Sequence, residues 1–449
     1  MSRDQADNLA LLREESQLRA PFISSCKGDD GPLLVGTEHE KFGYDRETLK
    51  PLAYEGERGI EALLLGLAER FDWEAVYAGG SINALVGPGG AVTLEPGGQL
   101  ELSGAVRTNV HETAAELDQH LAEVKDVGAS LGQVWCHFGM QPWESPTEIP
   151  WMPKPRYRVM RDYLPTRGTL PHWMMKTTAT VQANYDFRSE EDAFDALRLM
   201  TGLGPVVTAM FANSPTWAGE MTSRACNRMH IWTDTDLDRS GVPGFFMDPD
   251  AGFAEMVQYA LDVPMFFVAR EGEYINLAGT SFRDFMAGEV EGVDATEGDW
   301  ALHLSTIFPD VRMKGYLEVR QADAGPRDAI LALPALWRGL LYDETSRSDA
   351  RGWVQDLGAE EVRSGVHEAR EHGLEGQWRG KSLRHWANEL MELSCSGLDR
   401  LMPGDSEARY LSALRDEAGR PYAPYEQFRA LWEQHSGDRR AMIAAYEIR

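Results

Sequence analysis

Carboxylates recur at strand spacing along the chain. Glu38 and Glu40 lie two residues apart in GTEHEKFGYD, while Glu95 and Glu101 flank the turn Pro96-Gly97-Gly98 in VTLEPGGQLELSG. Residues two apart in a strand share one of its faces. The spacing therefore predicts that Glu38 and Glu40 face the same way and that the turn brings two more acids onto neighbouring strands.

The same alternation gives three further stretches a polar face. Gln182 and Asn184 share a face in TVQANYDF, and Glu318 and Arg320 share one in GYLEVRQAD. In NRMHIWTDTD, strand spacing would put four side chains on one face: Arg228, His230, Trp232 and Asp234. Each stretch taken alone could be the solvated face of an antiparallel sheet.

Taken together, these faces indicate a metal site. Several carboxylates on one sheet face repel each other and raise each other's pKa unless cations lie among them. Mg²⁺ prefers octahedral oxygen coordination and is typically held by a few carboxylates and by phosphate oxygens. The pattern therefore predicts Mg²⁺ and a nucleotide on one face of a sheet.

The order of apolar patterns indicates one α+β domain over 1–449. We expect an N-terminal helix over 4–20, a catalytic region of strands and helices over 33–345, and a helical layer over 346–449. We find no internal repeat and no long linker, and we expect no second ligase domain.

Composition limits the partners and the compartment. With 44 Lys and Arg against 71 Asp and Glu, the formal charge of -27 argues against binding to nucleic acid or to an anionic membrane. The four scattered cysteines, without signal peptide or membrane-spanning patterns, indicate a reduced, cytoplasmic protein. A monomer and a homodimer both remain open.

Read in order, the motifs resemble those of glutamate–cysteine ligases of the plant and proteobacterial type. The resemblance is dense over residues 33–345 and includes GTEHEKFGYD, LEPGGQLELSG, TVQANYDF, HIWTDTDLDR and IFPDVRMKGYLEVRQAD. It implies a glutamine-synthetase-like core, in which a strongly curved antiparallel sheet forms a half-barrel that is lined by metal-binding carboxylates and wrapped by helices.

The resemblance also implies an activity. ATP would phosphorylate the γ-carboxylate of L-glutamate, and the amine of L-cysteine would attack the acyl phosphate, which is the first step of glutathione synthesis. It further implies two or three Mg²⁺ ions, held by Glu38, Glu40, Glu95, Glu101 and Glu318 with Gln182 close by.

Other roles follow from the same resemblance. Glu318 and Arg320 would act in catalysis, with Arg320 and Lys41 contacting ATP. Glutamate would be held by Asn184, Arg228 and Trp232. Because regular alternation puts Lys41 on the face opposite Glu38 and Glu40, a surface lysine is the alternative for that residue.

Two positions depart from the plant pattern and leave the acceptor open. Thr177 and Ala179 stand where plant members have an arginine and a cysteine, so a γ-glutamyl ligase with another amine or amino acid is the main alternative. A glycoside hydrolase would account poorly for five acids on one sheet face. A catalytically silent protein of the same fold would not be expected to keep all these acids.

Overall fold

The computed structural model describes residues 8–88 and 90–448, in which short strands alternate with helices. In chain order the strands are β1 (Val35–Asp45), β2 (Glu74–Ala78), β3 (Ser81–Gly87), β4 (Gly90–Leu94), β5 (Leu100–Ser103), β6 (Gln133–Cys136), β7 (Val181–Tyr185), β8 (Thr216–Trp217), β9 (Glu220–Met221), β10 (Ser240–Gly241), β11 (Phe267–Arg270), β12 (Glu273–Asn276), β13 (Phe308–Pro309), β14 (Val311–Met313), β15 (Leu317–Val319), β16 (Gln377–Trp378) and β17 (Lys381–Ser382). The α-helices are α1 (Ala20–Ser25), α2 (Ile60–Arg70), α3 (Val110–Ser130), α4 (Pro155–Tyr163), α5 (Pro171–Thr177), α6 (Glu190–Gly202), α7 (Gly204–Met210), α8 (Asn227–Trp232), α9 (Phe253–Asp262), α10 (Phe282–Met286), α11 (Glu297–Leu304), α12 (Arg327–Leu341), α13 (Glu344–Val354), α14 (Ala359–His372), α15 (Leu383–Leu401), α16 (Pro424–Gln434) and α17 (Arg439–Tyr446). Short 3₁₀ helices span Glu15–Arg19, Leu164–Thr166, Gly244–Met247, Gly373–Glu375 and Glu407–Leu414.

One large antiparallel sheet organises the described residues. Its strand order is β14-β15-β7-β1-β5-β4-β3-β2, and β6 pairs with the far end of β1. β1 is central because its 11 residues pair with β5 and β7 in the first half and with β6 in the second. The sheet is open rather than closed, with helices around it, which confirms the predicted α+β class and its antiparallel sheet.

Helices bury the central strand. α3 packs against β1 and β6, and α12 packs against β1 and β7. α12 is covered in turn by α15 and by the 3₁₀ helix Glu407–Leu414. Side chains of β1 are therefore buried or half-buried on both faces, so any polar group placed there requires a partner.

The N-terminal helix predicted over 4–20 is wrong over residues 8–14 and correct over residues 15–20. Residues 8–14 are not helical, and Leu11 forms a β-bridge with Thr296. Helical structure begins at Glu15 and continues through α1, which carries a proline in its first turn. Proline favours the start of a helix, so Pro21 continues this one instead of ending it. Residues 4–7 of the prediction lie outside the described residues.

Within residues 8–88 and 90–448, no helix combines the length and the apolar composition that crossing a bilayer requires.

Candidate active site

A cavity of about 300 Å³ lies over one face of the main sheet, and its lining changes character from strand to strand. Cations line the β14–β15 end, carboxylates and amides line the centre, and small apolar side chains line the β2–β3 end. In strand order these residues are Arg312, Lys314, Arg320, Gln182, Glu38, Glu40, Glu101, Gln99, Glu95, Ala91, Ala84, Val86 and Val76.

The acidic centre follows from the register of three strands. Glu40 lies opposite Glu101 on β5, and Glu38 lies opposite Gln182 on β7. Burial, followed by the charges of Glu95 and Glu101, raises the pKa of Glu40 well above its usual value. Burial and neighbouring carboxylates also raise the pKa values of Glu38 and Glu101. The sequence prediction of acids crowded on one face is therefore correct for these residues.

The turn between β4 and β5 fixes the spacing of Glu95 and Glu101. Gly98 has a φ of +85°, and a Cβ atom at Gly97 would lie 2.3 Å from the carbonyl oxygen of Lys176. Both positions therefore require glycine, the first for its backbone conformation and the second for its close contact with α5. This requirement explains why a Gly-Gly pair separates the two acidic strands.

Glu318 does not line the cavity, although it was predicted as a metal ligand. Its carboxylate is completely buried and lies 2.7 Å from Arg312 Nη2 and 3.1 Å from Lys314 Nζ, and it also accepts from Arg320. Burial alone would raise the pKa of Glu318, but the charges of Arg312, Lys314 and Arg320 together hold it well below its usual value. Glu318 is therefore the anion that holds three cations at this end of the cavity.

Arg312 and Lys314 line the cavity but were not predicted as site residues, although their spacing in the sequence pointed to this role. They lie two residues apart just before Gly315, and a hairpin at that point places Arg312 directly opposite Glu318. Pairing β14 with β15 would have shown that the acid of GYLEVRQAD has a cationic partner on the next strand.

Arg320 and Asn184 both contact predicted site residues. Arg320 lines the cavity and donates to Gln182 and Glu318. Asn184 does not line the cavity, because its Nδ2 donates to Glu38 Oε1 at 3.1 Å. Gly36 lies opposite Asn184 in the register, where a Cβ atom would come within 3.3 Å of the amide. The structure therefore makes Asn184 a support for Glu38 and does not place it against a substrate.

Lys41 lies on the reverse face of β1, completely buried, so it is neither in the cavity nor on the surface. Its Nζ donates to the carbonyl oxygen of Leu100 at 3.2 Å and lies 3.0 Å from His120 Nε2. Burial lowers the pKa of Lys41 to about 7. The prediction that Lys41 faces away from Glu38 and Glu40 is therefore correct. Its predicted contact with ATP is not supported, because helix α3 covers the face of β1 on which Lys41 lies.

NRMHIWTDTD is not the predicted strand, since residues 227–232 form α8. The helix begins where Ser214 accepts from the backbone N–H of Asn227 at 2.9 Å and from that of Arg228 at 3.1 Å. These hydrogen bonds satisfy two backbone N–H groups in the first turn of the helix, and they outweigh the preference of the local sequence for a strand. Arg228 and Trp232 still line the cavity together, because residues four apart share a helix face as residues two apart share a strand face.

Asp323, which the sequence analysis did not single out, positions Arg228. Its buried carboxylate accepts from Ser214 Oγ at 2.7 Å and lies 3.4 Å from Arg228 Nη1. Arg228 also donates to Thr180 Oγ1 at 3.1 Å and to the carbonyl oxygen of Arg320 at 2.6 Å. A guanidinium has five N–H groups, and the four on the two Nη atoms of Arg228 are used, because Nη1 also donates to Met229 Sδ at 3.6 Å. Among the described residues, this leaves the Nε N–H as the donor for a substrate carboxylate.

Thr177 and Ala179, which depart from the plant pattern, do not face the cavity. Both are completely buried, and Thr177 Oγ1 donates to the carbonyl oxygen of Trp173 at 2.6 Å. The alternate residues Thr178 and Thr180 line the cavity instead. The two departures are therefore packing positions, which removes the main reason for expecting an altered acceptor.

The donor set of the cavity suits a hard divalent ion. In the part of the chain that the structure describes, no three His, Cys, Asp or Glu side chains are already gathered to hold one ion. Mg²⁺, however, commonly takes only one or two carboxylates and completes its shell with waters and substrate phosphates. Carboxylate and amide oxygens at the centre of the cavity fit such an ion.

Sequence comparison decides the family. A model of glutamate–cysteine ligase family 2 matches residues 34–444. The chain belongs to this family. This membership confirms the predicted family and the prediction that the protein is a ligase.

Relatives and a solved structure agree with this result. The chain is 43% identical over 421 residues to the chloroplastic glutamate–cysteine ligase of Medicago truncatula, covering 92% of this chain and 82% of the relative. It is 42% identical over 431 residues to that of Arabidopsis thaliana, covering 95% and 80%. The crystal structure of glutamate–cysteine ligase from Francisella tularensis in complex with AMP matches with a TM-score of 0.57 at 13% identity, over 94% of this chain and 91% of that one. This last likeness shows the fold alone.

The predicted cytoplasmic location is contradicted by these relatives, which are named as chloroplastic enzymes. The prediction rested partly on four unpaired cysteines. Unpaired cysteines indicate a reducing compartment without distinguishing the cytoplasm from the interior of a plastid.

The ion cluster around Glu318 predicts a stability effect. In Glu318→Ala, three mostly buried cations lose their shared anion, so we expect the free energy of unfolding to fall by about 3–5 kcal/mol. Urea denaturation measures the change. The control Glu344→Ala removes an exposed partner of Arg351 and should change stability by less than about 0.5 kcal/mol. Equal, small changes in both variants would contradict the buried cluster.

Proposed function

We propose that this cavity joins the γ-carboxylate of L-glutamate to the amine of L-cysteine at the expense of ATP, the first step of glutathione synthesis. Membership of glutamate–cysteine ligase family 2 supports the reaction. The observation that carries the proposal for the site is the order of cations, acids and apolar groups across one sheet face.

The chemistry requires two transfers. A γ-carboxylate oxygen attacks the γ-phosphorus of ATP, the bond to the β-phosphate oxygen breaks, and ADP leaves. The cysteine nitrogen then attacks the acyl carbon, loses a proton, and inorganic phosphate departs with the former carboxylate oxygen. Negative charge accumulates on the transferring phosphoryl group and on the tetrahedral intermediate, so fixed cations are the principal requirement.

The cationic end of the cavity meets this requirement. Arg320 would contact the transferring phosphoryl group, with Lys314 and Arg312 beside it. Glu318 would act through these cations, because it orients them and balances their charge. Arg228 and Trp232 line the same region and would hold the glutamate substrate.

The acidic centre would hold the metal. Glu38, Glu40, Glu95, Glu101 and Gln182 present oxygens that would bind two or three Mg²⁺ ions with the triphosphate. When bound, Mg²⁺ neutralises phosphate charge and so reduces the repulsion between ATP and the attacking carboxylate. The raised pKa values of Glu38, Glu40 and Glu101 support this assignment, because a cation among them would relieve their repulsion.

The apolar end would receive the adenine ring. Val76, Ala84, Val86 and Ala91 line this end of the cavity, on the strands farthest from Arg320. Neighbouring strands lie about 4.8 Å apart, so the five steps from β15 to β3 span roughly 24 Å, which is long enough for an extended nucleotide with glutamate beyond it. The nucleotide would then lie across the strands, with its phosphates over the acids.

Phosphate release tests the proposal. The purified protein with Mg²⁺, ATP and L-glutamate should release phosphate fastest with L-cysteine, compared with other amino acids and simple amines, and a chelator should stop the reaction. Faster release with another acceptor would show that the product is not γ-glutamylcysteine, while the formation of the acyl phosphate from ATP and glutamate would still be supported. Phosphate release at the same rate with and without L-glutamate would contradict the proposed function.

Metal binding should strengthen as pH rises. The raised pKa values keep protons on Glu38, Glu40 and Glu101 at a pH where ordinary glutamates are ionised, and these protons compete with Mg²⁺. Protonation of these groups stabilises the metal-free fold at low pH, and this contribution is lost as pH rises through their folded-state pKa values. As pH rises through the folded-state pKa values of these carboxyls, the Mg²⁺ concentration for half the maximal rise in Tm should fall by at least about ten-fold.

Two variants control this measurement. Glu40→Gln/Glu101→Gln should bind Mg²⁺ more weakly, because two carboxylate ligands are gone. The binding that remains should lose most of its pH dependence, because two of the competing protons are gone. Glu123→Gln alters another buried glutamate, which accepts from Trp73 and Gln119 on the reverse side of the sheet, and should behave as wild type. A pH-independent Mg²⁺ requirement in the wild type would contradict the acidic centre as the metal site.

A further inference from the structure

Helix α4 separates the catalytic cavity from a second one. The second cavity has a volume of about 360 Å³ and shares Lys154 and Tyr157 with the first. Its lining also includes Trp151, Arg158 and Arg161. A molecule in the second cavity would therefore lie directly beside the catalytic cavity.

The two cavities contact partly different faces of α4, with Tyr157 lining both. Arg156, Tyr157 and Met160 line the catalytic cavity. Lys154, at the helix N-cap, is followed by Arg158 and Arg161 at the i+4 and i+7 positions, which form one face. Both arginines are exposed and line the second cavity. The helix thus carries a stripe of positive charge from the second cavity to Lys154, which also lines the catalytic cavity.

This stripe stands out in a strongly acidic protein. Residues 154–167 contain five basic residues and one acid, while the whole chain has a formal charge of -27. Across the described ranges, neither Arg158 nor Arg161 forms an ion pair with a carboxylate. Arg161 lies over the ring of Trp151, with 5.0 Å between its Cζ and the ring centroid. The charges of both arginines are therefore not cancelled by a direct acidic partner.

An acidic protein repels its most highly charged substrate. A nucleoside triphosphate carries several negative charges, whereas glutamate carries one net charge and cysteine is nearly neutral. A local positive field can raise the association rate of an anion by roughly 10 to 1,000-fold, and salt weakens the effect. Its range at physiological ionic strength is about 8 Å, so the cations must lie close to the catalytic cavity. The stripe meets this condition at Lys154, which lines both cavities.

We propose that Lys154, Arg158 and Arg161, on α4 beside the second cavity, form a capture site for a nucleoside triphosphate, which binds there first and then enters the catalytic cavity. This proposal rests on the proposed function, in which that triphosphate is ATP. The site acts on the rate of arrival, and Arg158 and Arg161 do not touch the reacting atoms.

Charge reversal tests the capture site. The variant Arg158→Glu/Arg161→Glu changes only exposed side chains, so folding should be preserved and can be checked by circular dichroism. Stopped-flow measurement of the association of a fluorescent ATP analogue with the full chain and Mg²⁺ should show a fall of at least about ten-fold at about 20 mM salt. At about 500 mM salt the rates should converge to within about two-fold. The dissociation rate should change little at either salt concentration.

A matched control separates local from total charge. Lys125→Glu/Arg440→Glu makes the same change in net charge at two exposed positions that line neither cavity. Its association rate should stay within about two-fold of wild type. The milder Arg158→Gln/Arg161→Gln should give an intermediate rate, and it provides a second test if the reversal variant fails to fold.

The outcomes distinguish this proposal from the proposed function. Equal association rates for wild type and Arg158→Glu/Arg161→Glu at low salt would overturn the capture site, as would an equal loss in the control variant. If the wild type binds the analogue with the predicted salt dependence but forms no amide from glutamate, the ligase proposal fails and the capture site stands. If the wild type binds no nucleotide, both fail.

Discussion

Repulsion between buried carboxylates is the constraint that shapes this site. Glu38, Glu40 and Glu101 lie on the neighbouring strands β1 and β5, where burial and then the charges of nearby carboxylates raise the pKa of each. A fold built only for stability would place apolar residues there. The acids persist at the centre of a cavity whose proposed ligand, a metal–triphosphate, carries the compensating positive ions.

The surrounding structure holds this arrangement from several sides. At one end, Glu318 is buried against three cations that would otherwise repel each other. Below the sheet, Lys41 is fixed between β1 and α3, where it lies behind Glu40 and Glu101 without entering the cavity. Asp323 restrains Arg228 from a different segment of the chain. The polar residues of the cavity are thus oriented by buried partners, which is the property expected of a preorganised site.

The sequence predicted the acidic face because a strand has a simple period. Once GTEHEKFGYD is extended, Glu38 and Glu40 must share a face, and Lys41 must face the other way. It could not show that Lys41 is buried, because α3 comes from a distant part of the chain. The strand predicted over residues 227–232 was wrong for a related reason, because Ser214, which is not adjacent in sequence, caps a helix there. Arg228 and Trp232 nevertheless line the cavity together, because they lie four residues apart on that helix.

The family resemblance identified the reaction, whereas the roles of individual residues depended on three-dimensional contacts. Glu318 belongs to the motif but pairs with Arg312 and Lys314, and Asn184 supports Glu38. Such second partners are set by strand register. The partners of Glu318 could have been predicted only by pairing GYLEVRQAD with the strand before it, which requires the hairpin at residues 314–316 to be recognised first.

Locating the metal tests the central claim most directly. Crystals of the protein grown with Mn²⁺, ADP and L-glutamate would give anomalous scattering from the metal alone. We predict peaks among the oxygens of Glu38, Glu40, Glu95 and Glu101, with the phosphates over the same strands and the adenine toward β2 and β3. An ordered nucleotide with no metal peak at these carboxylates, or with its phosphates away from them, would contradict the account.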